Sequence, residues 1–534
     1  MAPTARIHSF IAASAGALAV ALLTSGCSGG GSDNPAPIAT APCSSNTCSG
    51  SGATTQPTPP TVLCPATLDY TTTYTGGSGS GEYVKVKFDT SKKQYQMTFI
   101  ESEVPTTAGQ VNTTRAGLTI TGDFQNADQY QVKNAQGVAT TPLKLPTAEQ
   151  NRCAFVLENG QTADGSYKVA INPNNPPMMF VGQGIVGGGI PGSTVQFDGL
   201  QLAPGVYVAT VPSKTFDYYP FIAFTQTVTD FSKIAGHYNE LGIHFTPSGG
   251  AFQTNADNPT GNYLGWQVDG IQLAETINSD GSCAPDSGQT YTSCPTTGGN
   301  WTLRTNTDGS PDNVFTSAAN LNSDTGTVFP NAGAGTLRAA FGGDQAHGIM
   351  IAGQLNGQIV PVVIRVGYAH SGTSLFDSTV DDQLGISLLA PVQAIATSSL
   401  TGAFIGANSV TACGLVTANG PTSTSPTVYE GACLDNATTT NAGVNYTSTI
   451  FQGTTAAFLN PFTSTAATNF TLDYTQTQPG LVQVTAQNNF TSGAATVFKT
   501  GDTGYMIKVG NVFAVLMNGT GLPNPFFTIG AFVQ

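Results

Sequence analysis

Three stretches of the chain repeat one pattern: "MFVGQGIVGG" from Met179, "MIAGQLNGQIV" from Met350 and "MIKVGNVFAVL" from Met506. In each, an apolar run meets Gly with Gln or Asn and then resumes. Glycine allows the tight turn or bulge at which two central strands can join. Upstream of each motif stands a small-residue and aromatic element: Tyr74 in "TYTGG", Tyr238 in "IAGHYNELG" and Phe404 in "LTGAFIGAN". From Tyr74 to Met179 is 105 residues, from Tyr238 to Met350 is 112 and from Phe404 to Met506 is 102. So constant a separation predicts three related copies of one β unit. A propeller would repeat every ~40–50 residues, and no such period is found.

The local pattern agrees. In "EYVKVKFDTSKKQYQMTFI", residues 82–100, Val84, Val86 and Phe88 share one face, Lys85 and Lys87 the other, and Tyr95, Met97 and Phe99 alternate again after a polar turn. That is a β-hairpin with one wet face. Further short strands are expected at 117–122, 166–171, 206–211, 470–475 and 481–486, and only residues 386–400, interrupted by Pro391, hint at helix. Such sheets bury a face by pairing with another sheet or by closing on themselves. The expected fold is therefore all-β: tandem antiparallel β-sandwich or small β-barrel modules, three in series, at 63–230, 231–395 and 396–534. Charged residues make up 9% of the 534, which suits strands and turns with an uncharged polar surface. The net charge of −14, with no Lys/Arg cluster, argues against nucleic-acid binding.

The N-terminus is of another kind. After "MAPTARIHSF" comes "IAASAGALAVALL", an apolar run that as a helix would span only ~20 Å, short of the ~30 Å hydrocarbon core. This is the pattern of a secretory leader. Thr24, Ser25 and Gly26 before Cys27 resemble the lipobox of bacterial lipoproteins, with Thr24 where Leu is usual. The resemblance implies a signal peptide over 1–26 and acylation of Cys27, and Ser28 after the cysteine implies export to the outer membrane. Two or three acyl chains hold a protein on a membrane, whereas one does not. Residues 28–62, rich in Gly, Ser, Thr and Pro, read as a flexible linker with a reach of ~30–35 Å.

Eight cysteines remain, an even number in an exported chain, which favours disulfides. They allow 105 connectivities in principle. Spacing suggests the simplest: Cys43 with Cys48, Cys64 with Cys153, Cys283 with Cys294, and Cys413 with Cys433. With no C-x-x-C and four histidines beyond the leader, no metal or other cofactor is expected.

Signs of catalysis are weak. "GQGIVGG", residues 182–188, fits the dinucleotide-binding G-x-G-x-x-G, but Pro191 stands where the following helix belongs and Asp198 is too close to be the ribose-binding acid. The repeat already explains these glycines as turn residues. His237 and His244 fall on opposite faces of any strand, and His347 and His370 stand outside any nucleophile or zinc motif. Glu101 with Glu103, and Asp377 with Asp381 and Asp382, are the carboxylates a glycosidase could pair. The loops "FDSTVDDQ" and "TDGSPDNV" offer oxygens for calcium without the full ligand order, which leaves a turn-forming role. No catalytic residue is assigned.

In leader, linker and low-charge β composition the chain resembles surface lipoproteins of Gram-negative bacteria. The expectation is a non-catalytic binding or structural protein, lipid-anchored at the outer membrane and facing periplasm or exterior, with a glycan or protein as ligand. The alternatives are an envelope hydrolase of glycans or esters and, from the terminus "PNPFFTIGAFVQ", a membrane-embedded β-barrel.

Overall fold

The structure, a computed structural model, describes residues 62–531 apart from 109, 111–112, 134–137, 198–199, 204–205, 209–210, 249–264, 288–291, 296–298, 318–346, 371–378, 382–383, 400, 404–406, 410–445, 464, 493–494 and 519–525. Cys27, Cys43, Cys48, Phe404, Cys413 and Cys433 lie outside the described residues.

The described chain is almost entirely β, in three related modules. The first contains β1 (Tyr74–Ser78), β2 (Tyr83–Asp89), β3 (Gln94–Glu101), β4 (Thr119–Asn126), β5 (Ala154–Leu157), β6 (Met178–Val181), β7 (Ile185–Phe197) and β8 (Val211–Phe224). Each strand pairs antiparallel with its successor and β8 returns to β1, closing a barrel. The second contains β9 (Gly236–Ser248), β10 (Gly265–Ile277), β11 (Cys283–Pro285), β12 (Trp301–Thr305), β13 (Pro311–Ser317), β14 (His347–Leu355), β15 (Gln358–Val366) and β16 (Leu384–Pro391). Its last strand again pairs with its first, and among the described residues the ladder is open between β11 and β12. There the Trp301 amide donates to Gly281 O at 2.9 Å.

The third module begins with a first strand in two pieces, β17 (Thr401–Ala403) and β18 (Ala407–Ser409). It continues through β19 (Tyr446–Gln452), β20 (Thr455–Leu459), β21 (Ala466–Asp473), β22 (Val482–Ala486), β23 (Thr503–Val509), β24 (Val512–Met517) and β25 (Phe526–Ala531). Here β18 pairs with β25, and the β19–β20 pairing carries the ladder back onto itself. All three modules are thus one up-and-down plan of eight strand positions with first and last strands joined. The three repeated motifs occupy the same place in it, the hairpin between the sixth and seventh strands: β6–β7, β14–β15 and β23–β24. In the second copy Asn356 and Gly357 take φ of 50° and 76°, the positive pair that a two-residue hairpin turn requires.

Two local expectations are corrected. Residues 384–391, read in part as helix, form β16. "SYKVAI", expected as a strand, makes only an isolated bridge at Lys168. Asp164 folds the chain just before it by accepting from the Ser166 amide and hydroxyl, and the prolines at 173, 176 and 177 remove ladder donors after it.

The modules pack in cyclic order. β1 and β8 of the first lie on β14, β15 and β16 of the second; β9 and β16 of the second lie on β23 of the third; β18 and β25 of the third lie on β7 and β8 of the first. First and last strands of one copy therefore meet sixth-to-eighth strands of the next, and the ring closes within one chain. A single apolar cluster runs through all three contacts, including Ile222 and Phe224, Ile243, Ile351, Ile364 and Ile386, and Ile507, Ala514 and Ile529. Close approach is built in: a Cβ on Gly77 would stand 2.4 Å from Ile364 Cγ2. The lumen of the third module is filled separately by phenylalanines, among them Phe451, Phe458, Phe470, Phe490, Phe498 and Phe526.

Candidate functional site: polar clusters within and between the modules

Alternation along β2 sends Val84, Val86 and Phe88 into the first barrel and Tyr83 and Lys85 outward. The outward side chains meet the second module. Lys85 Nζ donates to Asp312 Oδ1 at 2.8 Å, the Tyr83 hydroxyl to Asp312 Oδ2 at 3.0 Å, and Arg304 Nη1 to the same oxygen at 2.9 Å. Arg304 Nε also donates to Glu101, whose other oxygen lies 2.6 Å from His347 Nε2. The Arg304 guanidinium and Lys85 ammonium each stand 5.5 Å from the Tyr83 ring centroid. Burial would raise the Glu101 carboxyl, but its bonds to His347 and Arg304 outweigh that and hold it below the usual range. Asp312 is likewise lowered: burial pushes it up, and Lys85, the Asn313 amide and Tyr83 pull it further down.

This junction fixes a pH dependence. A carboxyl lowered in the folded state adds stability that is complete above its unfolded value and is lost as pH falls through its folded one. The share of the thermal midpoint that these two acids contribute, read as the difference between the parent and Asp312→Asn, is therefore expected to hold from pH 7 to about 5 and to fall below about pH 4, where free carboxyls titrate. A difference flat down to pH 3 would exclude these acids as contributors.

A second cluster lies inside the second module. Tyr238 on β9 faces Glu275 on β10, so Tyr238, Glu275 and Glu240, two residues along β9, share one face. Both carboxylates are fully buried. Glu240 accepts from the Ser293 hydroxyl at 2.6 Å and the Ser293 amide at 3.0 Å, with Arg365 Nη2 4.0 Å away. Arg365 itself donates to Thr292 O at 2.9 Å. Glu275 Oε2 lies 3.4 Å from Cys294 Sγ, and its Oε1 has no hydrogen-bond partner among the described residues. Burial first, and the nearby Glu240 second, raise the Glu275 carboxyl well above its ordinary range.

The first barrel holds a third cluster. Glu82 and Arg115 are both fully buried and form an ion pair. Ser80 and Ser102 each donate to Glu82 at 2.6 Å, and Arg115 Nη1 donates to Pro191 O at 3.0 Å.

Among the residues singled out in the sequence, Cys64 bonds Cys153 and Cys283 bonds Cys294. Asp308 accepts from the Ser310 amide and hydroxyl and forms a turn. His237 lies at the surface, 3.2 Å from Asp286. Glu101 and His347, chosen separately, meet in the junction, while Glu103 makes no part of the pairings just described. Gly184 and Gly188 of the G-x-G-x-x-G stretch, with φ of 80° and 130°, serve the β6–β7 hairpin and the barrel wall. Asp377 and Asp382 lie outside the described residues; Asp381 falls on a short strand, 379–381, and its side chain is also outside them. Asp312, the second acid of "TDGSPDNV", lies not in the turn but on β13 and in the junction. Sequence reasoning missed Glu82, Arg115, Glu240, Glu275, Arg304 and Arg365. The available signal was a lone charge in an otherwise apolar strand, as in "VVIRVGY" and "IQLAETI".

Fold and clusters together define a three-module all-β protein whose charged side chains tie strands and modules to one another. A family model described as "Protein of unknown function (DUF2957)" matches residues 94–531, and the chain belongs to that family. No curated protein matches it. Among solved structures, the V. cholerae biofilm matrix protein Bap1 aligns over 86% of this chain and 76% of its own, at 8% identity and a TM-score of 0.08.

Proposed function

We propose that the protein is a non-catalytic component of the bacterial cell envelope, anchored through lipid on Cys27 and presenting the three-module body at the end of its linker as a binding or structural element. The observation that carries this reading is the use made of the charged groups. Glu101, His347, Arg304, Asp312 and Lys85 are taken up in holding the first module to the second. The Thr-, Asn- and Gln-rich exterior suits hydrogen bonding to a neutral glycan or a protein rather than to a polyanion. The leader and the residues before Cys27 support the anchor, and the outer membrane is the destination that Ser28 favours.

Expression in a Gram-negative host tests it. The mature protein is expected in the membrane fraction with an acylated N-terminal Cys27 in its peptide mass spectrum, and Cys27→Ser should shift it to the soluble fraction. A mature N-terminus elsewhere, without acyl mass, would remove the anchor from this account.

A further inference from the structure

The two described disulfides sit in opposite chemical settings, although each has a glutamate beside it. We infer that Cys283–Cys294 is a thiol–disulfide exchange site for a dithiol, in which Glu275 hands its proton to the departing Cys294 sulfur, whereas Cys64–Cys153 is a fixed crosslink.

Access comes first. Cys283 begins β11, the strand at the open edge of the second module's ladder, and is half-buried, while Cys294 is fully buried. Of the two, Cys283 alone has surface exposure, so attack is assigned to Cys283 and departure into the interior to Cys294. A buried thiolate is a poor leaving group unless it is protonated as it forms. Glu275 Oε2 stands 3.4 Å from Cys294 Sγ. A disulfide sulfur carries no hydrogen, so any proton in that contact belongs to the carboxyl, whose hold on it burial and then Glu240 strengthen. At the other bridge both sulfurs are buried, and Glu149 Oε1 lies 3.9 Å from Cys153 Sγ. That carboxylate accepts from the Leu63 amide at 2.8 Å and from Arg152 at 2.6 and 2.8 Å, which hold it ionised. It has no proton to give.

One thiolate of the dithiol attacks Cys283 Sγ, a new S–S bond forms and the Cys283–Cys294 bond breaks. Its electron pair goes to Cys294 Sγ, which takes the Glu275 proton. The second thiol of the reagent, after losing its proton to water, attacks its own sulfur in the mixed disulfide and releases Cys283 as thiolate, which water protonates. Glu275 regains a proton from water. Two electrons pass from dithiol to protein, and the reagent ends as a disulfide. The segment Thr292–Cys294, whose Ser293 caps Glu240, is then no longer tied to β11.

The test is timed reduction of the folded full-length protein by dithiothreitol at pH 7, with alkylation and peptide mapping. Cys283 and Cys294 are expected to become labelled at least about ten times faster than Cys64 and Cys153. Glu275→Gln, which keeps the shape of a neutral acid without its acidity, should slow that labelling by about a hundredfold, the scale of general-acid assistance. Equal rates at the two bridges, or an unchanged rate in Glu275→Gln, would overturn the assignment. If the Gln variant misfolds, seen as prompt labelling of Cys64 and Cys153, Glu275→Asp replaces it; drawing the acid back by one methylene should also slow opening, and an unchanged rate would again overturn it.

Discussion

Glu82→Ala is expected to destabilise the protein by about 3–5 kcal/mol, the cost of breaking a fully buried ion pair from one side. Arg115 would remain inside the first barrel with its charge intact. Its surviving partners are Pro191 O at 3.0 Å, Gly192 O at 3.3 Å and the face of Phe99, 4.3 Å from the guanidinium carbon. None of these carries the opposite charge, and Ser80 and Ser102 would also lose their acceptor. The loss comes from stranding a cation rather than from the intrinsic worth of the pair. Replacing both partners with apolar residues, Glu82→Leu with Arg115→Met, should therefore recover most of it. Denaturant unfolding of the single and double variants measures the difference, and a single variant within 1 kcal/mol of the parent would show that water reaches Arg115.

The contrast between Glu82 and the repeated hairpins shows what was legible in the sequence. The hairpins could be read because a turn between two apolar runs is a local event, and Asn356–Gly357 needs nothing distant to set its backbone. Strand β16 could not. Its Ile386, Leu388 and Ala390 pack into the cluster between modules while Leu389 faces the second module's own interior, so both faces are apolar and the two-residue period disappears. Strands β14 and β15, buried in the same way, kept their identity only through the turn between them. The clusters were least legible. Charges at Glu240, Glu275 and Arg365 stand out against apolar neighbours, but their grouping depends on the register of β9 with β10 and on the return of Thr292–Cys294. Lys85 reads as part of a wet face because β2 alternates. That its partner is Asp312, 227 residues away, is decided by the packing of one barrel on the next.

That packing should make the three modules one cooperative unit, and Phe224→Ala is the sharpest test. Phe224 belongs to β8 of the first module, is fully buried, and lies so close to Gly353 of β14 that a Cβ there would stand 2.3 Å from its ring. Gly353 is the first of the two glycines in the second repeated motif, and it seats an aromatic ring from the neighbouring copy while Gly357 makes the turn. Removing the ring is expected to cost about 3–5 kcal/mol, since the backbone of a paired strand cannot move in to fill the space. The shape of the response matters as much as its size. Three independent barrels would unfold in separate steps, and the substitution would displace only the steps of the first and second. A ring closed by one apolar cluster cannot lose one contact without weakening the other two. Calorimetry of Phe224→Ala should therefore show a single transition moved to lower temperature, with no portion left at the parent's midpoint. A residual transition at that midpoint would mean that the third module stands without the ring.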